Sequence, residues 1–245
     1  MVSPPTLADL DLVVLAGGLG TRLRSVVADR PKVLAPVAGR PFLDHLLTWL
    51  DRQGARRVVL ALGHLADQVE THLEARRRDF PRLQIVTTVE TSPQGTGGAL
   101  AACRDLLRSD PVLVLNGDTF VDVDLGGFAD AWAGFGTPAA LVAVEVEDAT
   151  RYGRLEIVAG RVHRFAEKSE APGAAWINGG IYLLSGPLLD RLAGMGTCSL
   201  ERDLLERLPP GSIATFPTRG QFIDIGTPAS LAAAPDVLAA AGAIA

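Results

Sequence analysis

The stretch "LAGGLGTRLRSVVADRPKVLAP" at residues 15–36 sets the architecture of the N-terminal region. A short apolar run, residues 11–16, leads into closely spaced glycines and then into two cations. These residues are Gly17, Gly18, Gly20, Arg22 and Lys32. Because glycine has no Cβ, the backbone N–H groups of such a turn can approach a phosphate closely, and the cations can neutralise its charge. An ordinary turn from a strand to a helix, with both cations facing solvent, explains the same residues.

Two phosphate-binding motifs can be tested against this turn. The Walker loop requires a Gly-Lys pair, which residues 17–23 lack. The dinucleotide fingerprint G-x-G-x-x-G is matched by Gly18 and Gly20, but its last position is Leu23. The sequence therefore disfavours both a P-loop ATPase and a nicotinamide-dependent oxidoreductase.

Length and charge restrict the class of protein. A chain of 245 residues with 48% hydrophobic residues can bury a substantial core, as one large α/β domain or two small ones. The net charge is −5 and no basic stripe is present, so long nucleic acid is not an expected partner. Any anionic ligand must be held by a few local cations.

Cysteine usage and the N-terminus bear on location. Cys103 and Cys198 make neither a disulfide framework nor a zinc-type spacing, which fits a reducing cytoplasm. The first residues have neither the basic region nor the long apolar region of a secretory signal. No run of about eighteen apolar residues predicts a membrane span. We therefore expect a cytoplasmic protein with no membrane partner.

Short β-branched runs alternate with segments of helical periodicity in the first half of the chain. The predicted strands, each expected to be buried on both faces, are residues 11–16, 57–62, 83–89 and 111–116. Strand–helix alternation at this spacing predicts right-handed crossovers and a mostly parallel sheet. After Pro138 the apolar segments come closer together and alternate more, which favours antiparallel strands. No linker divides the chain, so we expect one domain.

Two aspartates follow or interrupt apolar runs. Asp118 comes directly after the run 111–116, and ligands of open α/β sheets bind beyond the carboxyl ends of strands. The tripeptide "NGD" is also a turn signal. Asp224 lies in "QFIDIGTP", where a carboxylate within an apolar run needs a partner, so a satisfied structural aspartate is the alternative. Two carboxylates together with phosphate oxygens would suit a hard divalent ion.

Ordered motifs along nearly the whole chain point to a family. "LAGGLGTRLRSVVADRPKVLAPVAGRPFLDHLL" closely resembles the signature of sugar-1-phosphate nucleotidylyltransferases, and "SPQGTGGAL", "VLNGDTF", "YGRLEI", "FAEKSE", "NGGIYLL" and "FIDIGTPASL" follow in the family's order. Within the family the pattern is most similar to D-glycero-D-manno-heptose 1-phosphate guanylyltransferases, whose glycine loop also lacks the proline that many relatives carry where Ser25 stands here. The resemblance implies a Rossmann-like α/β/α sandwich with a mixed, mostly parallel central sheet, the glycosyltransferase-A-like nucleotidyltransferase fold.

The resemblance also implies how the site is divided. Residues 1–135 would bind the nucleotide and residues 136–245 the sugar phosphate, within one domain that leaves no room for a C-terminal β-helix domain. The implied nucleotide-binding residues are Leu15, Ala16, Gly17, Gly18, Gly20, Thr21, Arg22, Lys32, Glu90, Gln94, Gly95, Thr96, Asn116, Gly117 and Asp118. The implied sugar-phosphate residues are Gly153, Glu167, Lys168, Asn178 and Gly179. Out of context, Glu167 and Lys168 would be a solvated pair.

The implied reaction transfers NMP from an NTP to a sugar 1-phosphate and releases pyrophosphate. Asp118 and Asp224 would hold Mg²⁺, with Mn²⁺ as the alternative ion. Arg22 and the glycine-loop amides would bind the β- and γ-phosphates, Lys32 the phosphates near the reacting centre, and Lys168 the attacking phosphate. That phosphate is already an anionic nucleophile, so catalysis would rest on alignment and charge neutralisation.

Glu90 bears on the choice of base. It lies five residues before Gly95, where relatives place a base-reading side chain, and a carboxylate only accepts hydrogen bonds. The ring N–H and exocyclic amino group of guanine would suit it, so GTP is the predicted donor, with a surface position for Glu90 as the alternative. Heptose 1-phosphate as the acceptor rests on family likeness alone.

Rival functions use the same fold. Within the same chemistry they are mannose-1-phosphate guanylyl transfer, and uridylyl, thymidylyl or cytidylyl transfer to another hexose 1-phosphate. A different class is a catalytically silent nucleotide-sugar sensor or regulatory subunit, which would not need the complete set of cations and carboxylates. Pyrophosphate release across substrate pairs separates these functions. The sequence leaves open whether the protein forms a homo-oligomer.

Overall fold

A computed structural model describes residues 5–23, 26–27, 29–166 and 173–244. The strands are β1 (Asp11–Leu15), β2 (Pro36–Val37), β3 (Arg40–Pro41), β4 (Arg57–Leu62), β5 (Gln84–Val89), β6 (Val112–Asn116), β7 (Thr119–Val121), β8 (Ala139–Val146), β9 (Arg154–Val158), β10 (Arg161–Ala166), β11 (Ala175–Leu184), β12 (Ile213–Thr218) and β13 (Phe222–Asp224). The α-helices are α1 (Phe42–Gln53), α2 (Ala66–Arg76), α3 (Gly95–Ala102), α4 (Leu125–Phe135), α5 (Gly186–Ala193) and α6 (Pro228–Ala240). None of the helices in these ranges is both long enough and apolar enough to cross a bilayer.

One large mixed sheet organises the chain. Its strand order is β5-β4-β1-β6-β11-β8-β12-β10-β9. The first four strands in that order are mutually parallel, whereas β11 runs antiparallel to both β6 and β8, and β9 and β10 pair antiparallel. The predicted α/β class with a mixed sheet is therefore confirmed. The antiparallel texture expected after residue 138 is also confirmed.

The central strands feed two cores, one on each face of the sheet. Leu12 and Val14 of β1 belong to one core and Val13 to the other, because successive side chains of a strand point to opposite faces. Helices α1, α2, α4 and α6 pack on the first face, and α3 and α5 on the second. This arrangement is the predicted α/β/α sandwich.

Helix α1 illustrates how sequence pattern becomes packing. Its four leucines, Leu43, Leu46, Leu47 and Leu50, are each at most 1% exposed. The 3.6-residue period places them on one side of the helix, and burying each leucine contributes about 1.5–3 kcal/mol. The helix ends at Gly54, whose φ of 101° lies in the left-handed region that glycine adopts without strain.

Strand β5 departs from the prediction of burial on both faces. It lies at the edge of the sheet, its residues are half-buried or exposed, and Val89 is 45% exposed. An edge strand has a neighbouring strand on one side only, so its residues are less buried than those of a central strand. The apolar run in the sequence does not distinguish the two positions.

A separate two-stranded sheet brings distant segments together at the edge where β1 and β6 end. Strands β7 and β13 pair antiparallel, with Thr119 opposite Asp224. The backbone N–H of Ile225 donates to the carbonyl of Asp118 at 3.0 Å. The segment that follows β6 and the segment that precedes α6 are therefore fixed side by side.

Candidate active site

A cavity of about 280 Å³ opens at the carboxyl ends of β1 and β6. Among the predicted nucleotide-binding residues, those that line it are Leu15, Ala16, Gly17, Gly18, Lys32, Glu90, Gly95, Thr96, Asn116 and Asp118. Leu19, Val33, Pro93 and Ala99 complete the lining. A larger cavity of about 410 Å³ lies between α2 and β5 and contains none of the predicted residues. Ten of the fifteen predicted nucleotide-binding residues therefore share one crevice, although it is not the most voluminous one.

Gly117 joins the ends of two central strands beside the crevice. Its backbone N–H donates to the carbonyl of Leu15 at 2.9 Å, which ties the end of β6 to the end of β1. A Cβ on Gly117 would lie 2.7 Å from the same carbonyl oxygen, closer than real side chains approach. The glycine is required there for close approach of two backbones.

Glu90 lies against the glycine loop. Its carboxylate Oε2 accepts a hydrogen bond from the backbone N–H of Gln94 at 3.1 Å. Its Oε1 occupies the space beside two glycines, since a Cβ would be 2.9 Å from it on Gly17 and 2.5 Å on Gly63. Glu90 is therefore a cavity-lining residue with one oxygen engaged, not a free surface side chain. Sequence reasoning did not single out Gly63.

The two predicted metal-binding aspartates share one cation. The ammonium of Lys32 forms a very short contact with Asp118 Oδ2 and lies 3.5 Å from Asp224 Oδ1. Thr119 Oγ1 donates to the other oxygen of Asp118 at 3.1 Å. The Lys32 side chain is only 10% exposed, whereas that of Asp118 is 37% exposed and faces the cavity. Asp118 therefore faces the crevice, and Asp224 is joined to it through the shared ammonium of Lys32. We call these three charged residues the ionic cluster.

Gly226 is a residue of this site that sequence reasoning missed. Its backbone N–H donates to Asp224 Oδ1 at 2.7 Å. A Cβ added to it would lie 2.7 Å from that oxygen, 3.1 Å from Lys32 Nζ and 3.2 Å from Arg22 Nη2. Arg22, predicted to bind phosphate, is therefore beside the ionic cluster. The signal was the glycine in "IDIGTP", which directly follows the apolar run.

Tyr152 is a second neighbour that was not predicted. Its ring packs edge-on against Phe222 with centroids 5.3 Å apart, and the guanidinium of Arg151 lies 5.5 Å from its ring centroid. Burial raises the pKa of the Tyr152 hydroxyl; Arg151 and Arg22 oppose the rise and Asp224 adds to it. The effects of Asp224 and Arg22 on this pKa place the Tyr152 hydroxyl close to the ionic cluster. Sequence analysis named only its neighbour Gly153, where a Cβ would lie 3.2 Å from a backbone oxygen.

On the sugar side, Asn178 and Gly179 lie in β11 at a break in its regular pairing with β8. Asn178 Oδ1 accepts from the backbone N–H of Gly180 at 3.0 Å, so its amide is held internally. Gly180 has a φ of +72°, and a Cβ there would lie 2.7 Å from the Asn116 amide nitrogen. The predicted sugar strand therefore packs directly on a predicted nucleotide residue. Glu167 and Lys168 lie outside the described residues.

The predicted positions continue beyond the cavity lining into two short segments. Gly20 has a φ of +57° and leads into the short helical turn Thr21–Leu23, which contains Thr21 and Arg22. Gly95 begins α3, and a Cβ on it would lie 2.4 Å from the carbonyl oxygen of Cys198. Thr96 follows, but its hydroxyl is directed to a partly buried network described below and not into the cavity.

A glycine loop, converging cations and paired carboxylates at the carboxyl ends of parallel strands define a phosphate-handling α/β enzyme site. The model of the nucleotidyl transferase family matches residues 12–239, and the chain belongs to this family. It is a nucleotidyltransferase, as the sequence predicted.

Two curated relatives cover most of the chain. It is 32% identical over 220 residues to D-glycero-alpha-D-manno-heptose 1-phosphate guanylyltransferase of Aneurinibacillus thermoaerophilus, covering 89% of this chain and 94% of the relative. It is 31% identical over 221 residues to mannose-1-phosphate guanylyltransferase catalytic subunit beta of Xenopus tropicalis, covering 88% of this chain and 61% of the relative. The crystal structure of HddC from Yersinia pseudotuberculosis complexed with GMP-PN superposes with a TM-score of 0.82 at 33% identity, covering 93% of this chain and 98% of that one.

Enzymes of this family generally use a divalent metal ion. Asp118 and Asp224 offer oxygen donors around a point where the structure already stabilises a positive charge, the ammonium of Lys32. Within the described ranges no three His, Cys, Asp or Glu side chains gather as a complete ligand set. The residues present therefore fit a hard cation that takes its other ligands from phosphate oxygens and water.

Proposed function

We propose that the chain transfers a guanylyl group from GTP to a sugar 1-phosphate, with D-glycero-D-manno-heptose 1-phosphate as the favoured acceptor. A phosphate oxygen of the acceptor forms a bond to the α-phosphorus of GTP. The bond from that phosphorus to the bridging oxygen breaks, and its electron pair leaves with pyrophosphate. The observation that carries the proposal is a crevice lined by the glycine loop, Lys32 and Asp118, with Asp224 paired to the same ammonium.

Asp118 and Asp224 are the proposed ligands of Mg²⁺, with Mn²⁺ as the alternative. The ion would supply charge neutralisation to the nucleotide phosphates. The two aspartates now share the ammonium of Lys32, so the same oxygens serve two cations. Lys32 is proposed to bind the phosphates near the reacting centre, and the two aspartates would then be available to hold the ion.

The other cations are assigned by position. Arg22 lies beside Gly226 and at the end of the glycine loop, which supports a role with the loop amides in binding the β- and γ-phosphates. Lys168 is proposed to hold the acceptor phosphate, with Glu167, Gly153, Asn178 and Gly179 on the sugar. The substrate supplies its own nucleophile, so these groups align two anions and cancel their repulsion.

The choice of guanine rests on Glu90 and on the relatives. Glu90 lines the crevice, and its Oε1 is not the oxygen that the Gln94 N–H occupies. A carboxylate there can accept from the ring N–H and the amino group of guanine, whereas the Watson–Crick edge of uracil or thymine offers only one donor. The names of the relatives favour heptose 1-phosphate, with mannose 1-phosphate as the alternative acceptor.

The domain and location assignments are also proposals. A single domain, with residues 1–135 for the nucleotide and 136–245 for the sugar phosphate, is supported by a core whose residues come from both halves, from Leu12 to Ile225. Cys103 and Cys198 are free, buried thiols, which is compatible with the cytoplasm.

The test is pyrophosphate release by the purified chain with each of GTP, UTP, dTTP, CTP and ATP against heptose, mannose and glucose 1-phosphates. We expect release with GTP and heptose 1-phosphate at a kcat/KM at least tenfold above every other nucleotide. Asp118→Asn should lower the rate of release about 10³-fold, whereas Asp130→Asn on the exposed side of α4 should not change it. Nucleotide binding without release from any pair would contradict the enzymatic proposal and favour a sensor.

A further inference from the structure

A partly buried hydrogen-bond network connects the nucleotide side of the crevice to the sugar side. At its centre is Glu201, in the helical turn Leu200–Leu204. Its Oε2 accepts from Thr96 Oγ1 at 2.9 Å and from Ser199 Oγ at 3.0 Å, and its Oε1 accepts from the Tyr182 hydroxyl at 3.1 Å. One carboxylate therefore gathers donors from α3, from β11 and from its own segment.

On the sugar side the direction of the hydrogen bonds is fixed. Tyr182 is 1% exposed, and its hydroxyl accepts from Asn178 Nδ2 at 2.9 Å while it donates to Glu201. Burial raises the pKa of Tyr182 well above its ordinary value, and the charge of Glu201 raises it further, so the hydroxyl stays protonated. The other end of the Asn178 amide is held by the Gly180 N–H. Asn178 therefore has one orientation.

On the nucleotide side the network anchors the start of α3. Thr96 Oγ1 accepts from the backbone N–H of Leu200 at 2.8 Å and donates to Glu201, so both hydrogen-bonding roles of the hydroxyl are used. The N–H of Gly97 donates to the carbonyl of Cys198 at 2.9 Å. The first turn of α3, which lines the nucleotide cavity, is therefore bonded to the same segment that holds Tyr182.

We propose that Glu201 is a positioning residue that fixes the nucleotide-binding turn of α3 in relation to the sugar-binding strand β11. The inference rests on the proposed function and deepens it. Thr96 acts through its hydrogen bond to Glu201, and Asn178 acts on the sugar from an orientation that Tyr182 sets. The distance between the two bound anions is then set by the network and not by the substrates.

The kinetic test compares Thr96→Val and Tyr182→Phe with Ser199→Ala. Thr96→Val removes the hydrogen bond from α3 to Glu201, and Tyr182→Phe removes the one from β11. Ser199→Ala also removes a hydrogen bond to Glu201, but from a residue two positions away in the same segment, so α3 and β11 stay connected. We expect kcat for pyrophosphate release to fall about tenfold in each of the first two while both KM values change less than threefold, because alignment is lost and direct contacts remain. Ser199→Ala should stay within twofold of the wild type.

The double variant distinguishes one shared connection between Thr96 and Tyr182 from two independent structural effects on kcat. If Thr96 and Tyr182 act through one connection, Thr96→Val combined with Tyr182→Phe should lower kcat no further than the more damaging single change. Losses of kcat that multiply, or an equal loss in Ser199→Ala, would overturn the proposal. So would a decrease that merely follows the fraction of folded protein measured by thermal unfolding.

Hydrogen exchange gives a readout that does not depend on turnover. Addition of a non-hydrolysable GTP analogue with Mg²⁺ should slow amide exchange at residues 178–182 of the wild type and of Ser199→Ala, but not of Thr96→Val. If the analogue protects the glycine loop of the wild type but leaves exchange at residues 178–182 unchanged, the proposed connection through Glu201 is contradicted and the nucleotide site is not. No protection of the glycine loop would contradict the proposed nucleotide site itself.

Discussion

The molecule holds the buried carboxylate of Asp11 and the partly exposed carboxylates of the ionic cluster in different ways. Asp11, at the start of β1, is 3% exposed and is bonded by the backbone N–H groups of Arg108 and Ser109 and by Arg57 Nη1. Asp118 and Asp224 share the ammonium of Lys32, and each has one further donor, the Thr119 hydroxyl and the Gly226 N–H respectively. A carboxylate with both oxygens held by backbone N–H groups and a guanidinium cannot exchange its partner without disrupting local structure. A carboxylate paired with a lysine ammonium can accept another cation in its place.

The largest contrast is expected from Asp118→Asn. Removing one carboxylate of the ionic cluster should lower kcat about 10³-fold, because the proposed metal site and the charge balance at the phosphates are lost. The free energy of unfolding should change by less than about 1 kcal/mol, since the side chain is partly exposed. Steady-state kinetics and urea unfolding of the same preparation measure both. Near-normal kcat would show that Asp118 is not a metal ligand.

Asp11→Asn should show the opposite behaviour. It leaves the Arg57 guanidinium and two backbone N–H groups without their anionic acceptor, and breaking a buried pair costs about 3–5 kcal/mol. Activity per folded molecule should remain unchanged, because Asp11 lies at the other end of β1 from the glycine loop. A loss of kcat without a loss of stability would contradict the structural role.

Gly226→Ala sharpens the comparison within the site. The added methyl group would meet Asp224, Lys32 and Arg22, so we expect a roughly tenfold fall in kcat, about 1.4 kcal/mol in activation free energy. The matched control is Gly134→Ala in α4, where a Cβ meets no atom within 4 Å. That change should leave kcat unaltered and raise stability by about 0.5–1 kcal/mol, because alanine favours helix. Equal kcat values for the two variants would contradict the prediction that a methyl group at Gly226 disturbs the ionic cluster.

The smallest expected effect concerns acid stability. Burial alone would raise the pKa of Asp11, but the N–H groups of Arg108 and Ser109 together with Arg57 lower it below the ordinary value. Its contribution to stability is therefore full above its unfolded pKa of about 3.9 and is lost as the pH falls through the lower folded value. Asp11→Asn should flatten the fall in the free energy of unfolding below about pH 4. An unchanged slope would contradict the assigned shift.

The fold was largely predictable because its central strands carry dense apolar runs. Strands β1, β4 and β6 are covered by helices on both faces, and their sequences report that burial directly. Strand β5 misled because an apolar run does not say whether the strand lies at the centre or the edge of a sheet. Gly226 and Tyr152 were missed for a related reason: their importance comes from neighbours distant in sequence.

The sequence by itself determined the family, the glycine loop and the supply of cations and carboxylates, because local periodicity and short motifs encode burial and backbone shape. Only the tertiary structure decided which charges meet. Lys32 contacts Asp118 and Asp224, which lie 86 and 192 residues further along the chain. The two aspartates are neighbours because β7 pairs with β13 in one register. Glu201 came into view only when α3, β11 and its own turn were packed together. Pairing between distant segments depends on register and packing, which no local pattern contains.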